Sequence, residues 1–260
     1  MRIKIFLTLI TPVLFFSCNN PRPLPFYGGK VVNVKGTETG KQVIDSIDYS
    51  IPEFSFVDQD SNLINGISIT NKILVAEFFF TSCPSICPKM QKEMLRVYEK
   101  YKSNDDITIL AFSIDPVRDS VSRLHNYAKK LGIESGKWHL LTGNKDSIYA
   151  TANNFLVSAA EDPDAPGGHV HSGNFILIDK HRRIRGYYDG TDEKSVEKLL
   201  HEMDILQQQG ERQASDDAGL RDGGDDRLSL QRTSRDLPAQ SLSKRRADAV
   251  GAGRGFSREK

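Results

Sequence analysis

The stretch KILVAEFFF, residues 72–80, constrains the fold more than any other part of the chain. A nearly continuous apolar run reads as a strand covered on both faces, because a strand with one wet face alternates. The segments that follow supply candidates for the covering layers. Met90, Met94, Val97, Tyr98 and Tyr101 recur at spacings of three and four, which gives a helix with one buried face. ITILAFSI (107–114) reads as a second central strand, and DSVSRLHNYAKKLGI as a helix from an Asp/Ser cap to Gly132. WHLLTG is a short strand and turn, and NKDSIYATANNF a third helix. NFILID and RIRGYYD, joined by KHRR, form a hairpin. DEKSVEKLLHEMDIL closes the pattern as a helix with Val196, Leu199, Leu200, Met203 and Leu206 on one face. Ahead of the apolar run, DYSIPEFSFVDQDSNLING predicts an N-terminal β-hairpin with strands near 54–57 and 62–69. The order of strands and helices places the chain in the α/β class, with a central mixed β-sheet flanked by helices.

At 260 residues the chain has room for one well-filled domain with appendages, or for two small domains. The periodic pattern occupies 46–208. Residues 1–17 read as a lipoprotein-type signal peptide, with Arg2 and Lys4 before an apolar core and Ser17 at the cleavage point. A membrane span is excluded by the shortness of the run and by Thr8, Thr11 and Pro12 within it. The ending FFSC resembles a lipobox, which makes Cys18 the expected lipidation site, although Phe15 stands where leucine is usual. The protein is therefore expected to be exported and held at the cell-envelope membrane by this lipid, facing the periplasm. Residues 18–45 read as a flexible tether, and 209–260 as a disordered tail. The last fifty residues contain no Ile, Asn, Tyr or Trp, too little apolar surface to offset the entropy of ordering. A net charge of +1 with both signs plentiful gives no field for nucleic acid.

With Cys18 assigned to the anchor, two thiols remain, Cys83 and Cys87 in FFFTSCPSICPKM. Positions four apart on a helix hold their Cβ atoms about 6 Å apart, too far for an unstrained disulfide. A four-residue loop also gains little entropy from closure. Cys83 is therefore expected in a loop and Cys87 at a helix start, with Pro88 at the first helical position. A helix N-terminus favours thiolate, so both thiols are expected to be acidic. This suits reversible oxidation or a soft metal ion better than a permanent staple.

FFFTSCPSICPKM, FSIDPVRDS and HSGNFILID together resemble the Sco/SenC family over roughly residues 48–206. The resemblance implies a thioredoxin-like fold in a membrane-tethered protein that handles copper for cytochrome c oxidase assembly. It implies copper, Cu(I) or Cu(II), held by Cys83, Cys87 and His171. It further implies an upstream copper donor and the copper-containing oxidase subunit as partners. Two thiolates and one imidazole form a soft set suited to Cu(I). The three positions also fit a catalytic zinc, whereas structural zinc usually requires four protein ligands. The same thiols serve a thiol–disulfide oxidoreductase of oxidase cysteines, or a thiol peroxidase, so the residues leave these readings open.

The family commonly has Asp before the late histidine, where this chain has Val170. In GGHVHSGNF the two imidazoles are expected to point to opposite sides, with His171 facing the cysteines and His169 in a solvent-exposed loop. His125, His139, His181 and His201 read as ordinary helix, strand and turn residues, and Met90 and Met94 as core. Asp115 and Pro116 end the second central strand, where ligand sites of α/β folds collect.

Overall fold

A computed structural model of the chain describes residues 22–36, 42–134 and 136–222. The expected signal peptide, Cys18 and the part of the expected 209–260 tail from 223 onward lie outside the described residues. The chain divides into two units, Met1–Ser215 and Asp216–Lys260, and the architecture that follows is that of the first.

Strands β1 (Lys30–Gly36) and β2 (Gln42–Asp48) pair antiparallel in a ribbon of their own, mostly within the 18–45 stretch read as a tether and running three residues past it. Strands β3 (Ser55–Val57) and β4 (Leu63–Asn65) form the expected hairpin, but β4 ends at Asn65 rather than near 69. Asn65 and Ser68 exchange side-chain and backbone hydrogen bonds there, which turns the chain. Strand β5 (Ile73–Phe79) is buried at every position, as its composition demands. Helix α1 (Cys87–Tyr101), strand β6 (Ile107–Ser113), helix α2 (Val121–Leu131) and strand β7 (Trp138–Leu141) follow. Ser120 caps α2 through the Arg123 N–H, and Gly132 ends it at φ 71°. Helix α3 (Lys145–Asn154) is capped by Asn144.

Two short strands, β8 (Ala159–Glu161) and β9 (His169–His171), pair only with each other. Strands β10 (Asn174–Ile178) and β11 (Ile184–Asp189) complete a five-stranded mixed sheet in the order β11-β10-β5-β6-β7. Helix α4 (Glu193–Asp222) runs past the expected end of the domain at 208.

Adjacent strand residues face opposite sides, so β5 and β6 build two cores. Phe78 and Phe112 stack at 5.1 Å on one side, closed by Phe54, Phe56 and Phe155. Glu77 and Phe79 face the other side, against Gln91 of α1 and Tyr127 of α2. Met90 and Met94 are fully buried, as expected of core residues. Helix α4 lies along α1, joined by Tyr101 Oη to the Leu200 carbonyl at 3.0 Å and by the Lys100–Asp204 pair.

Candidate metal centre

The parallel strands β5 and β6 end side by side, with Phe79 opposite Ser113. Their exits form the floor of the site. Asp119 knots the two exits together. Its carboxylate accepts from the Thr81 N–H at 2.9 Å, the Thr81 hydroxyl at 2.5 Å and the Ser113 hydroxyl at 2.6 Å. Fully buried, it gives a structural reason for the two motifs to occur together: the aspartate of SIDPVRD holds the threonine of TSCP. Sequence reasoning missed this role, because nothing in spacing alone links residues 38 apart.

Cys83 lies in the turn that follows, its N–H bonded to the Phe80 carbonyl at 3.2 Å. Cys87 is the first residue of α1 and is buried. Pro88 therefore occupies the second helical position, not the first. Its missing N–H costs nothing there, since the first-turn donors have no intrahelical partner. Both cysteines are free thiols. They are not equally acidic, which corrects the expectation of two acidic thiols. Burial acts against the Cys83 thiolate, but hydrogen bonds from the Cys87 side chain and from the Cys87 and Ser85 N–H groups outweigh it and lower the thiol. Burial pushes Cys87 strongly up, and its contact with Cys83 adds to this. The desolvation of Cys87 overrides the helix N-terminus.

His171 arrives from the end of β9. Its Nε2 lies 3.5 Å from Cys87 Sγ, and its Nδ1 lies 3.0 Å from the Ser172 carbonyl. A carbonyl only accepts, so that bond places the proton on Nδ1 and leaves the Nε2 lone pair facing the thiols. Burial lowers the His171 pKa, and His169 lowers it further against the opposing effect of the Ser172 carbonyl. The ring is thus favoured in its neutral, ligating form. One donor atom from each of Cys83, Cys87 and His171 lies within 4.8 Å of the other two. Among the described residues this is the one group of three or more such side chains so placed.

His169 is not the solvent-exposed loop residue expected. Its side chain is 8% exposed, with Nε2 3.6 Å from Asp115 Oδ2 and Nδ1 3.3 Å from Tyr149 Oη. Residues two apart on a strand share a face, so both imidazoles turn inward and Val170 between them faces solvent. Phe80 sits between the rings, 5.1 Å from that of His169 and 6.0 Å from that of His171. His139 pairs with Asp58 at 2.9 Å across the β3–β4 turn, and His125 with Asp60 at 3.0 Å, both remote from the thiols in role.

A mixed sheet whose central parallel strands end at a dithiol, faced by one imidazole from a separate ribbon, defines a thioredoxin-like protein with a three-donor soft site. The matching family model, SCO1/SenC, covers residues 46–206. The chain belongs to the SCO1/SenC family. It is 26% identical over 166 residues to the SCO1 protein homolog of Bacillus subtilis, covering 63% of this chain and 86% of that protein. The crystal structure of a SCO1/SenC family lipoprotein from Bacillus anthracis is similar with a TM-score of 0.56 and 26% identity, over 61% of this chain and 95% of that one. Arabidopsis thaliana ScoI, crystallised with copper bound, shares the fold at a TM-score of 0.52 and 24% identity, over 62% of this chain and 99% of that one.

Proposed function

We propose that the protein binds copper through Cys83, Cys87 and His171 and passes it to the copper centre of cytochrome c oxidase during assembly. The observation that carries this reading is the convergence of two free thiols and an unprotonated imidazole nitrogen within 4.8 Å. Two sulfurs and one nitrogen suit Cu(I), and the imidazole adds the harder donor that Cu(II) needs. A site with three protein donors leaves room for a ligand from a partner, which suits transfer rather than storage. Membership of the SCO1/SenC family supports the oxidase as destination. An upstream donor would load the site, and a lipid on Cys18 would hold the protein at the outer face of the membrane; the Bacillus anthracis relative is itself a lipoprotein. Among the described residues no helix is long and apolar enough to cross a membrane.

The test is metal content of the anaerobically reduced protein, with Cys83→Ala, Cys87→Ala and His171→Ala beside it. One copper per chain is expected for the parent. His171→Ala is expected to lose stable Cu(II) binding and to keep weakened Cu(I) binding. Copper binding by His171→Ala equal to the parent would remove the histidine from the site.

A second reading, thiol–disulfide exchange on oxidase cysteines, is favoured by the unequal thiols. Cys83 is partly exposed and lowered, as an attacking thiol needs to be, while Cys87 is buried and raised. Rapid reduction of a partner disulfide by the metal-free protein, undiminished in His171→Ala, would favour this role.

A further inference from the structure

The ribbon that delivers His171 is not hydrogen-bonded into the five-stranded sheet. Strands of three residues give it little stability of their own, so its pose depends on what it docks against. At its edges the attachments are exposed ion pairs: Lys145 with Glu161, and Arg118 bridging Asp115 and the Gly167 carbonyl. Such pairs contribute little. On its inner side His171 meets Cys87, the Gly190 N–H holds the Gly173 carbonyl at 2.8 Å just past β9, and the remaining buried polar side chain of β9 is His169. Tyr149, whose hydroxyl also reaches the Ile114 carbonyl at 3.1 Å, meets Nδ1, and Asp115, 5% exposed at its side chain, faces Nε2. Ile114 and Asp115 are the exit of β6, the strand beside the one that leads to the cysteines. His169 therefore ties the ribbon to the same floor that positions the thiols. His171 is two residues further on, on the same face, with Phe80 between the rings.

We propose that His169 is a positioning residue for the metal site: hydrogen-bonded to Tyr149 and facing Asp115, it fixes the β8–β9 ribbon so that His171 Nε2 stays against the thiols. The role is that of an outer partner, not a ligand, and it rests on the metal-site reading above. A ligand must be held to about half an ångström to keep its geometry, and apart from the contact of His171 itself with Cys87, the side-chain polar contacts of β9 on that face are those of His169. The family resemblance gave no reason to expect this, since it concerns the residue immediately before the ligand, where this chain has the exposed Val170.

The experiment compares the parent with His169→Ala, His169→Gln and Asp115→Asn in three measurements. The first, on metal-free protein, is the nitrogen-15 spectrum of the His171 ring. The parent is expected to show one tautomer with the proton on Nδ1, and His169→Ala a mixture as the Ser172 bond loosens. The second is Cu(II) affinity by competition, expected to fall about tenfold in His169→Ala, the size of effect outer partners of metal ligands have. Partial recovery is expected in His169→Gln, whose amide reaches toward Asp115. In combination with His169→Ala, Asp115→Asn is expected to add little, since both break one contact. The third is the rate at which an added small disulfide oxidises the Cys83–Cys87 pair, expected to be unchanged in a folded variant. A folded His169→Ala with the parent's His171 tautomer and Cu(II) affinity overturns the proposal. So does an equal loss in dithiol chemistry, which marks general damage to the fold. If the parent itself holds no copper, the metal reading fails, and the metal-free spectrum still decides whether His169 positions His171.

Discussion

Glu77 is an acid in the middle of the most apolar run of the chain, and it is fully buried. Its Oε1 accepts from Gln91 Nε2 at 3.1 Å, while its Oε2 and the Oε1 of Gln91 have no hydrogen-bond partner among the described residues. Burial pushes the carboxyl up to about 8, against the smaller opposing effect of Gln91. An unfolded glutamate titrates near 4.3, so between these values the folded chain holds a proton that the unfolded chain has lost. Stability from this group is therefore fully present below about pH 4.3 and is lost as pH rises through about 8. The loss is on the order of a few kcal/mol. Glu77→Gln removes the titration and offers a donor where Gln91 Oε1 lacks one. Urea midpoints are expected to fall between pH 5 and pH 8.5 in the parent, and to fall distinctly less in the variant. Parallel profiles would show that Glu77 does not titrate in this range.

Strands and helices with a clear period were legible: β5, β6, α1, α2 and the β10–β11 hairpin all fall where the apolar spacing put them. The β8–β9 ribbon was not, because three-residue strands joined through EDPDAPGG show no period to detect. The expectation that His169 and His171 face opposite sides fails even for an extended segment, because residues two apart on a strand share a face. The site residues themselves were visible through motif and resemblance, but the supports beneath them were not. Gly167 is one such support: at φ 87°, a Cβ there would meet the Phe80 ring at 2.7 Å. Asp119 is another. Removing its carboxylate in Asp119→Ala leaves the Thr81 N–H and the Thr81 and Ser113 hydroxyls without their acceptor. Each donor left unsatisfied costs about 1–3 kcal/mol. The variant is expected to unfold at clearly lower urea, and its Cys83 to react faster with a maleimide as the turn from Phe80 loosens. Asp119→Asn, which keeps an acceptor and the size, is expected to fall between. An alkylation rate identical in all three proteins would mean the knot does not hold the cysteine turn.

The domain begins earlier than its periodic pattern. Composition placed a tether before residue 46, yet Leu24 is buried and Tyr27 N–H bonds the Ile184 carbonyl at 3.0 Å, on the edge strand of the sheet. The reason lies in Arg185, a guanidinium 5% exposed at its side chain. Asp179 pairs with it at 2.9 Å, but its remaining donors need acceptors, and the Leu24 and Pro25 carbonyls supply them at 2.6 and 3.0 Å. Phe26 covers the same group, its ring centroid 4.3 Å from the guanidinium carbon. A proline-rich segment with no periodicity is thus ordered by one buried charge, a relation no local pattern announces. Losing about 1–3 kcal/mol, the usual range for a buried donor left without its acceptor, corresponds to about 2–12 °C in a domain of this size. A chain starting at Gly29 is therefore expected to melt about 2–12 °C below one starting at Arg22, with the family fold intact by circular dichroism. Arg185→Met in the longer chain separates the causes: its loss of stability should shrink in the shorter chain, because the same contacts are already gone. Equal melting of the two truncations, or a full Arg185→Met effect in both, would show that the segment and the arginine act independently.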